Sequence, residues 1–234
     1  MTIIPQEQLA HGDYRGPQWH ERVYENLYDR LGRNSDFPCL FSQNAFRREL
    51  IRFAFVEDAS DGSIDRLAAD LASYVELSRD WDGSLATAYP LIVAFSHEAI
   101  ADKSLEEYHA FGWRILQALH RRDRSDWPDD VAKDPHSPFW SMCFAGMQLF
   151  VNMSHPAHWE RLSRNLGDHL VFVINPRERF DVVAGDTPAG RKVRQNIRER
   201  IAVYDGKTHA RQLGSYVAGD IEWWQYGLIE ENRP

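Results

Sequence analysis

Residues 89–96 read YPLIVAFS, a nearly unbroken apolar run of strand length. A run with no polar side to offer water predicts a strand covered on both faces, at the centre of a sheet. Candidate partners lie on either side of it. FPCLFS at 37–42 and LIRFAFVE at 50–57 are short β-type runs, and the polar QNAFRRE at 43–49 is read as a turn of helix or a hairpin connection. Downstream, residues 140–145, 148–153 and 169–174 are three further strand candidates. Gly146 divides the first two as a tight hairpin would.

Between the strands the period changes from two to 3.6. His20, Val23, Tyr24, Leu27, Tyr28 and Leu31 predict an amphipathic helix over 17–31. Ser63 is placed to cap a helix whose apolar face is Ile64, Leu67, Ala68, Leu71 and Val75. Ser104 and Glu107 form a capping box ahead of Leu105, Tyr108, Ile115, Leu116 and Leu119, and His120, Arg121 and Arg122 close that helix at its negative end. Thr187 caps another, with Pro188 at its first position and Val193, Ile197 and Ile201 inward. Its remaining face carries Arg191, Lys192, Arg194, Arg198 and Arg200, read as solvated basic residues. Adjacent strand pairs mixed with helix-separated strands indicate an α+β fold, a mixed and largely antiparallel central sheet with helices packed on it. Residues 1–234 read as a single domain with an N-terminal helical extension at 1–36. The loop at 122–138, RDRSDWPDDVAKDPHSP, is long enough to be a lid or mobile segment.

Composition narrows the function classes. A net charge of −8 argues against nucleic acid or an anionic membrane as partner, because phosphate binding needs a basic surface. No apolar run approaches the roughly 18 residues of a membrane span, and the start, MTIIPQEQLAHGDY, lacks a secretory pattern. Cys39 and Cys143 form neither a disulfide framework nor a CxxC motif, which suits a reducing cytoplasm. Eight tryptophans and twelve phenylalanines suit a thick core or an apolar cofactor pocket, and exposed aromatics leave room for a homodimer.

Nucleotide-binding glycine loops, a GxSxG elbow and HExxH are all absent. Chemistry concentrates instead in LFVNMSHPAHWERLSRNLG at 149–167. A strand ending near Met153, a turn, and a short helix from Ala157 would put His158 at a strand-to-helix corner. There it is either a ligand or proton carrier, or a hydrogen-bonded structural histidine. His155 is near enough to share a metal with His158, but zinc needs at least one more ligand and neither His136 nor His169 is spaced to provide it. Arg161 and Arg164 share the His158 face on a helix and suit an anionic ligand, or else pair with local carboxylates. Cys39, after Pro38, is either a thiolate ligand or an inert strand cysteine. Arg177, within Pro176, Arg177, Glu178 and Arg179, marks an anion-friendly turn or a salt-bridged corner.

FPCLFSQNAF (37–46), RFAFVE (52–57), FVNMSHPAHWERLSRNLG (150–167), VINPRERFD (173–181) and the ending LGSY…EWWQYGLIEEN together resemble the YqcI/YcgG family in content, order and spacing. Some members of that family are haem-dependent N-oxygenases, and the rest of the family is largely uncharacterised. The resemblance implies a haem b enzyme that uses dioxygen or peroxide to hydroxylate an amine or guanidine nitrogen of a small molecule such as arginine, with an electron-donor protein as a further partner. The family pattern N-x-S-x-P-x-H falls on Asn152, Ser154, Pro156 and His158, which implies His158 as axial iron ligand, ahead of Cys39. The following R-x-S-R-N-L-G falls on Arg161, Ser163, Arg164, Asn165, Leu166 and Gly167, while Leu162 stands where a second arginine is frequent. Arg161, Arg164, Asn165 and Arg177 then hold the cofactor's carboxylates. Phe150, Trp140, Phe144, Trp159 and Phe172 form its walls, and 122–138 closes the distal face. The rival readings are a non-catalytic protein that binds an anion or haem, and a metal hydrolase built on His155 and His158.

Overall fold

In a computed structural model describing residues 3–214 and 219–231, a parallel pair of strands sets the architecture. Strands β2 (Arg52–Val56) and β3 (Leu91–Phe95) run parallel, joined by helix α4 (Asp61–Ser78). β6 (Val171–Pro176) pairs antiparallel with β3, and β5 (Met147–Ser154) and β4 (Met142–Phe144) follow outward, each antiparallel to its neighbour. β1 (Ile4–Pro5) completes the other edge against β2, a position that tolerates proline because no further strand needs its N–H. The order β1-β2-β3-β6-β5-β4 is a mixed, mostly antiparallel sheet, and the fold is α+β as expected.

All five residues of β3 are buried, the consequence of a strand with helices on both sides. The two-residue alternation then sorts neighbours into two cores. Ala54, Val56, Leu91, Val93, Phe95, Leu149, Val151, Met153, Phe172 and Ile174 pack with α4 and with α5 (Leu105–Arg122). Phe53, Ile92, Ala94 and Val171 pack with α2 (Gln18–Leu31) and α3 (Leu40–Arg47). Each large side chain so buried contributes about 1.5–3 kcal/mol. Residues 3–31 are part of this body: β1 lies in the sheet, α1 (Gln6–Ala10) follows it, and Leu9, Val23, Leu27 and Leu31 are core.

Local signals hold at several boundaries. Ser104 and Glu107 cap α5 reciprocally, and Thr187 accepts from the Gly190 N–H at the start of α7 (Pro188–Tyr204). Ala145 and Gly146 both have positive φ between Phe144 and Met147, a two-residue turn whose twist matches the hairpin. Residues 123–140 contain neither helix nor strand.

Three local readings are corrected. Residues 37–42 are not a strand: α3 runs from Leu40 to Arg47, absorbing most of the supposed connection at 43–49. Pro38 and extended Cys39 end the β-like stretch. Gln43, buried inside the helix, then donates to the carbonyls of Ser35 and Phe37, bonds a strand would take from a neighbour. The cap of α4 is Ser60 rather than Ser63, whose own N–H donates to the Ser60 hydroxyl. No helix starts at Ala157, and the only regular turn there is a 3-10 turn at Leu162–Arg164. The Glu230 carboxylate takes the N–H groups of Glu160 and Arg161, and the Asn165 amide takes the carbonyl of His158, so side chains satisfy the backbone that a helix would have satisfied.

The C-terminal segment docks as expected from its aromatics, although Ser215, Tyr216 and Asn232 lie outside the described residues. Tyr226 is fully buried; its hydroxyl accepts from the Met142 N–H and lies within hydrogen-bond distance of the Leu149 carbonyl and of Glu222.

Gly112 lets α5 approach the sheet. A Cβ there would sit 2.5 Å from the sulfur of buried Met153, a clash with no open space to relax into. Helix propensity alone favours alanine by up to about 1 kcal/mol, but overpacking costs about 1–3 kcal/mol. Gly112→Ala is therefore expected to lower the urea midpoint. Gly62→Ala, in the first turn of α4 with only the Arg66 guanidinium nearby, is expected to raise it slightly. A stabilised Gly112→Ala would show that the contact is not tight.

Candidate functional site

On the second face of the sheet the sequence leaves the core incomplete. The alternation that sends Leu149, Val151 and Met153 into the first core turns Phe150, Asn152 and Ser154 the other way, onto the floor of a cavity of about 340 Å³. Ile92, Val173 and Asn175 complete the floor. Phe37, Pro38, Cys39 and Phe41 form one wall as the chain enters α3, and α6 (Glu178–Ala184) and α7 form another with Phe180, Ile197 and Ile201. The walls are largely apolar, with a thiol and several guanidinium groups set into them.

Among those cations Arg164 differs from the rest. It is buried, its Nη1 has no partner, and burial pulls its guanidinium down from the usual arginine range to about 10, against the opposing pull of Asp205 and Cys39. An unpartnered buried donor costs about 1–3 kcal/mol, more when charged. Arg177 also lines the cavity but is committed: it donates to Glu222 at 3.0 Å and grips Asp181 through two nitrogens. It is the salt-bridged corner. Arg194 and Arg198, read as a solvated face of α7, line the cavity as well and donate to backbone carbonyls of 184–185 and 213–214. Arg200 donates to the carbonyls of Phe37 and Pro38 and so pins the segment carrying Cys39. The helix is basic on that side because its cations tie down neighbouring chain.

His158 lies elsewhere. After Ser154 the chain leaves the sheet, and His155 and His158 turn toward the first core, where Tyr108 stacks on His155 with ring centres 4.8 Å apart. The His155 and His158 rings stack at 4.2 Å, and His109 of α5 completes a trio in which one ring nitrogen from each residue lies within 4.8 Å of the other two. His158 Nδ1 is 2.5 Å from the Glu230 carboxylate, while its Nε2, both nitrogens of His155 and Nε2 of His109 have no partner. Burial, reinforced by Arg164 and, for His155 and His158, by neighbouring rings, pushes these imidazoles down to about 4 for His109, 3 for His155 and 2 for His158. All three are neutral near pH 7. His158 lines neither this cavity nor the second one.

The other expected residues have structural partners. Arg161, fully buried, donates to the carbonyls of Ile229 and Thr208 and anchors the C-terminal segment. Asn165 donates to the His158 carbonyl and accepts from the Gly167 N–H. Phe144 and Phe172 belong to the first core, and Trp159 is exposed. The long loop does not cover the Cys39 cavity: Trp127, Lys133 and Pro135 roof a second cavity of about 640 Å³ against α5 and Trp140. Cys39 itself is the N-cap of α3 rather than a strand residue. His109 and Glu230 were not singled out by sequence. The signal for His109 was its place four residues after Leu105, on the inward face beside Tyr108 and Gly112.

The family model for the YqcI/YcgG family matches residues 27–234, and the chain belongs to that family. It is 59% identical over 231 residues, 99% of this chain and 86% of the relative, to a Streptomyces lavendulae protein named "Putative N(omega)-hydroxy-L-arginine synthase DcsA". It is 35% identical over 222 residues to the uncharacterized protein YcgG of Bacillus subtilis, and 32% identical over 220 residues to YqcI of the same organism, each covering 93% of this chain. No solved structure matches significantly. Among the described residues no helix is long and apolar enough to cross a membrane.

The two thiols should separate by reactivity. Cys143 is buried, with its thiol pushed up to about 12 by burial and nearby carboxylates, whereas Cys39 is half-buried on the cavity wall. A thiol reagent is expected to titrate one group in the folded protein, two in denaturant, and none in folded Cys39→Ala. Two fast groups in the native state would remove Cys143 from the core.

Proposed function

We propose that this member of the YqcI/YcgG family hydroxylates a guanidine or amine nitrogen of a small amino-acid-like molecule, arginine being the reference substrate, with haem b bound in the Cys39 cavity. The observation that carries the reading is the meeting of three features in one apolar cavity: a thiol, a buried guanidinium with an unpartnered nitrogen, and aromatic walls. A flat apolar disc with two carboxylates and a metal needs those three things. The 59% identity to a protein named for arginine N-hydroxylation supports the reaction class.

Cys39 is favoured over His158 as the iron ligand, because Cys39 lines the cavity while His158 is enclosed in the histidine trio beside Glu230. Arg164 is the residue best placed to meet a carboxylate, in a two-nitrogen grip that a lysine would not reproduce. Haem with a thiolate ligand supplies activation of dioxygen or peroxide, which no side chain can provide. The protein's part is geometric and electrostatic. Arg200 and Gln43 hold the backbone that carries the thiol. The amides of Asn152 and Asn175 on the floor offer donors and acceptors to a polar substrate end. Phe37, Phe41, Phe150 and Phe180 exclude bulk water from a reactive centre. With dioxygen as oxidant an electron-donor protein completes the balance, and with peroxide none is required.

Protein produced with excess haem precursor is expected to show a Soret band. Cys39→Ala should lose or shift it, His158→Ala should keep its position, and Arg164→Ala should weaken hemin binding about tenfold. Incubation with arginine and peroxide, or with dioxygen and a reductant, should yield a product one oxygen atom heavier at a guanidine nitrogen. A protein that shows no saturable hemin titration would end this reading. Hemin binding without any product from amines or guanidines would leave a non-catalytic haem protein in its place. Loss of the Soret band in His158→Ala but not in Cys39→Ala would return the ligand role to the histidine.

A further inference from the structure

We propose that His109, His155 and His158 form a separate three-imidazole site for a divalent transition metal, zinc being the reference ion, beside the first core and outside the Cys39 cavity. Three observations carry it. The candidate ligand nitrogens lie within 4.8 Å of one another. Four ring nitrogens of the trio are buried with no hydrogen-bond partner, although each neutral imidazole brings both a donor and a lone pair. The fourth side chain of the group, Glu230, holds His158 from behind through Nδ1.

That last contact is the arrangement metal-bound imidazoles use. A carboxylate on one ring nitrogen fixes the tautomer and turns the lone pair of the other inward. With Nδ1–H given to Glu230, the free nitrogen of His158 is Nε2, the one left without a partner. The same carboxylate takes the backbone N–H groups of Glu160 and Arg161, so the ligand loop and its orienting group move as one unit. Gly227 lets the C-terminal segment pack closely on His109, since a Cβ there would come within 3.1 Å of its Nε2.

The donor set selects the guest. Neutral nitrogens suit zinc and its transition-metal neighbours and not calcium or magnesium, which take oxygen. Stacked rings with centres 4.2 Å apart leave no room between them for a porphyrin, so the site takes a bare ion. Bonds of ~2.0–2.1 Å draw the nitrogens closer than they stand here, and three protein ligands leave the fourth position for a small molecule. Arg161 and Arg164 face the trio with positive charge, opposed by Glu230 and by Glu106 near His109. Bound metal would tie the first turns of α5 to the loop after β5 and, through Glu230, to the C-terminal segment.

The test uses the full chain, dialysed against zinc chloride and then buffer, with metal counted by mass spectrometry. Cobalt(II) replaces zinc in a parallel sample to report tetrahedral coordination by its visible absorption. We expect about one zinc per chain, a higher melting temperature with zinc, and affinity about 10- to 100-fold weaker in Glu230→Gln. Zinc should be lost in His109→Asn and in His155→Asn, conservative changes chosen to keep the fold, which is checked by circular dichroism and by the single reactive thiol. Hemin titration of His109→Asn should match the parent, so failure of the haem reading and failure of this one stay distinct. The proposal is overturned if the parent holds well below one equivalent of zinc or cobalt, or if a His109→Asn/His155→Asn double variant retains the metal.

Discussion

Both faces of the central sheet must be covered, and the structure follows from how each strand divides its residues between them. β3 is apolar on both sides and fixes the middle. β5 is apolar on one side only, giving Leu149, Val151 and Met153 to the core shared with α4 and α5. Its other side carries Phe150, Asn152 and Ser154 and cannot close a second core by itself. Helices α3, α6 and α7 stand off from that polar strip, and the space between is the cavity. A site arises here because one strand withholds part of its hydrophobic surface, where polar groups would otherwise be buried at a cost.

The same alternation divides a motif that reads as one site. Asn152 and Ser154 look into the cavity, while His155 and His158, beyond the end of the strand, belong to the opposite side. Arg164 connects the two regions. It lines the cavity, its charge is felt by all three imidazoles, and its carbonyl accepts the His155 N–H. The C-terminal segment braces both regions. Glu222 meets Arg177, Ser141 and Tyr226 below the cavity, and Glu230 meets His158. Burial pushes both carboxyls above the usual carboxylate range, and their hydrogen-bond donors pull the other way.

Signals that act over a few residues were legible in the sequence. The apolar run at 89–96, the reciprocal cap of Ser104 and Glu107, and the glycine hairpin at 146 each follow from local sterics or local hydrogen bonds, and each lies where it was read. Residues 37–42 read as a strand because a proline and alternating aromatics imitate one, whereas α3 begins at Leu40. The helix is decided by Gln43 reaching back to two carbonyls, a tertiary fact. At the candidate site, chemically capable residues were visible but their assignments were not. Arg161 carries the right charge, yet its guanidinium binds backbone from the far end of the chain. His109 and Glu230 complete the surroundings of His158 from distant positions, and spacing in one sequence does not encode that proximity.

Helix α7 does two things at once. Ile197 and Ile201 wall the cavity, and Arg200, on the same helix, grips the two residues just before Cys39. Any displacement of that helix would therefore act on the tether of the sulfur as well as on the cavity wall, so the two are not mechanically independent.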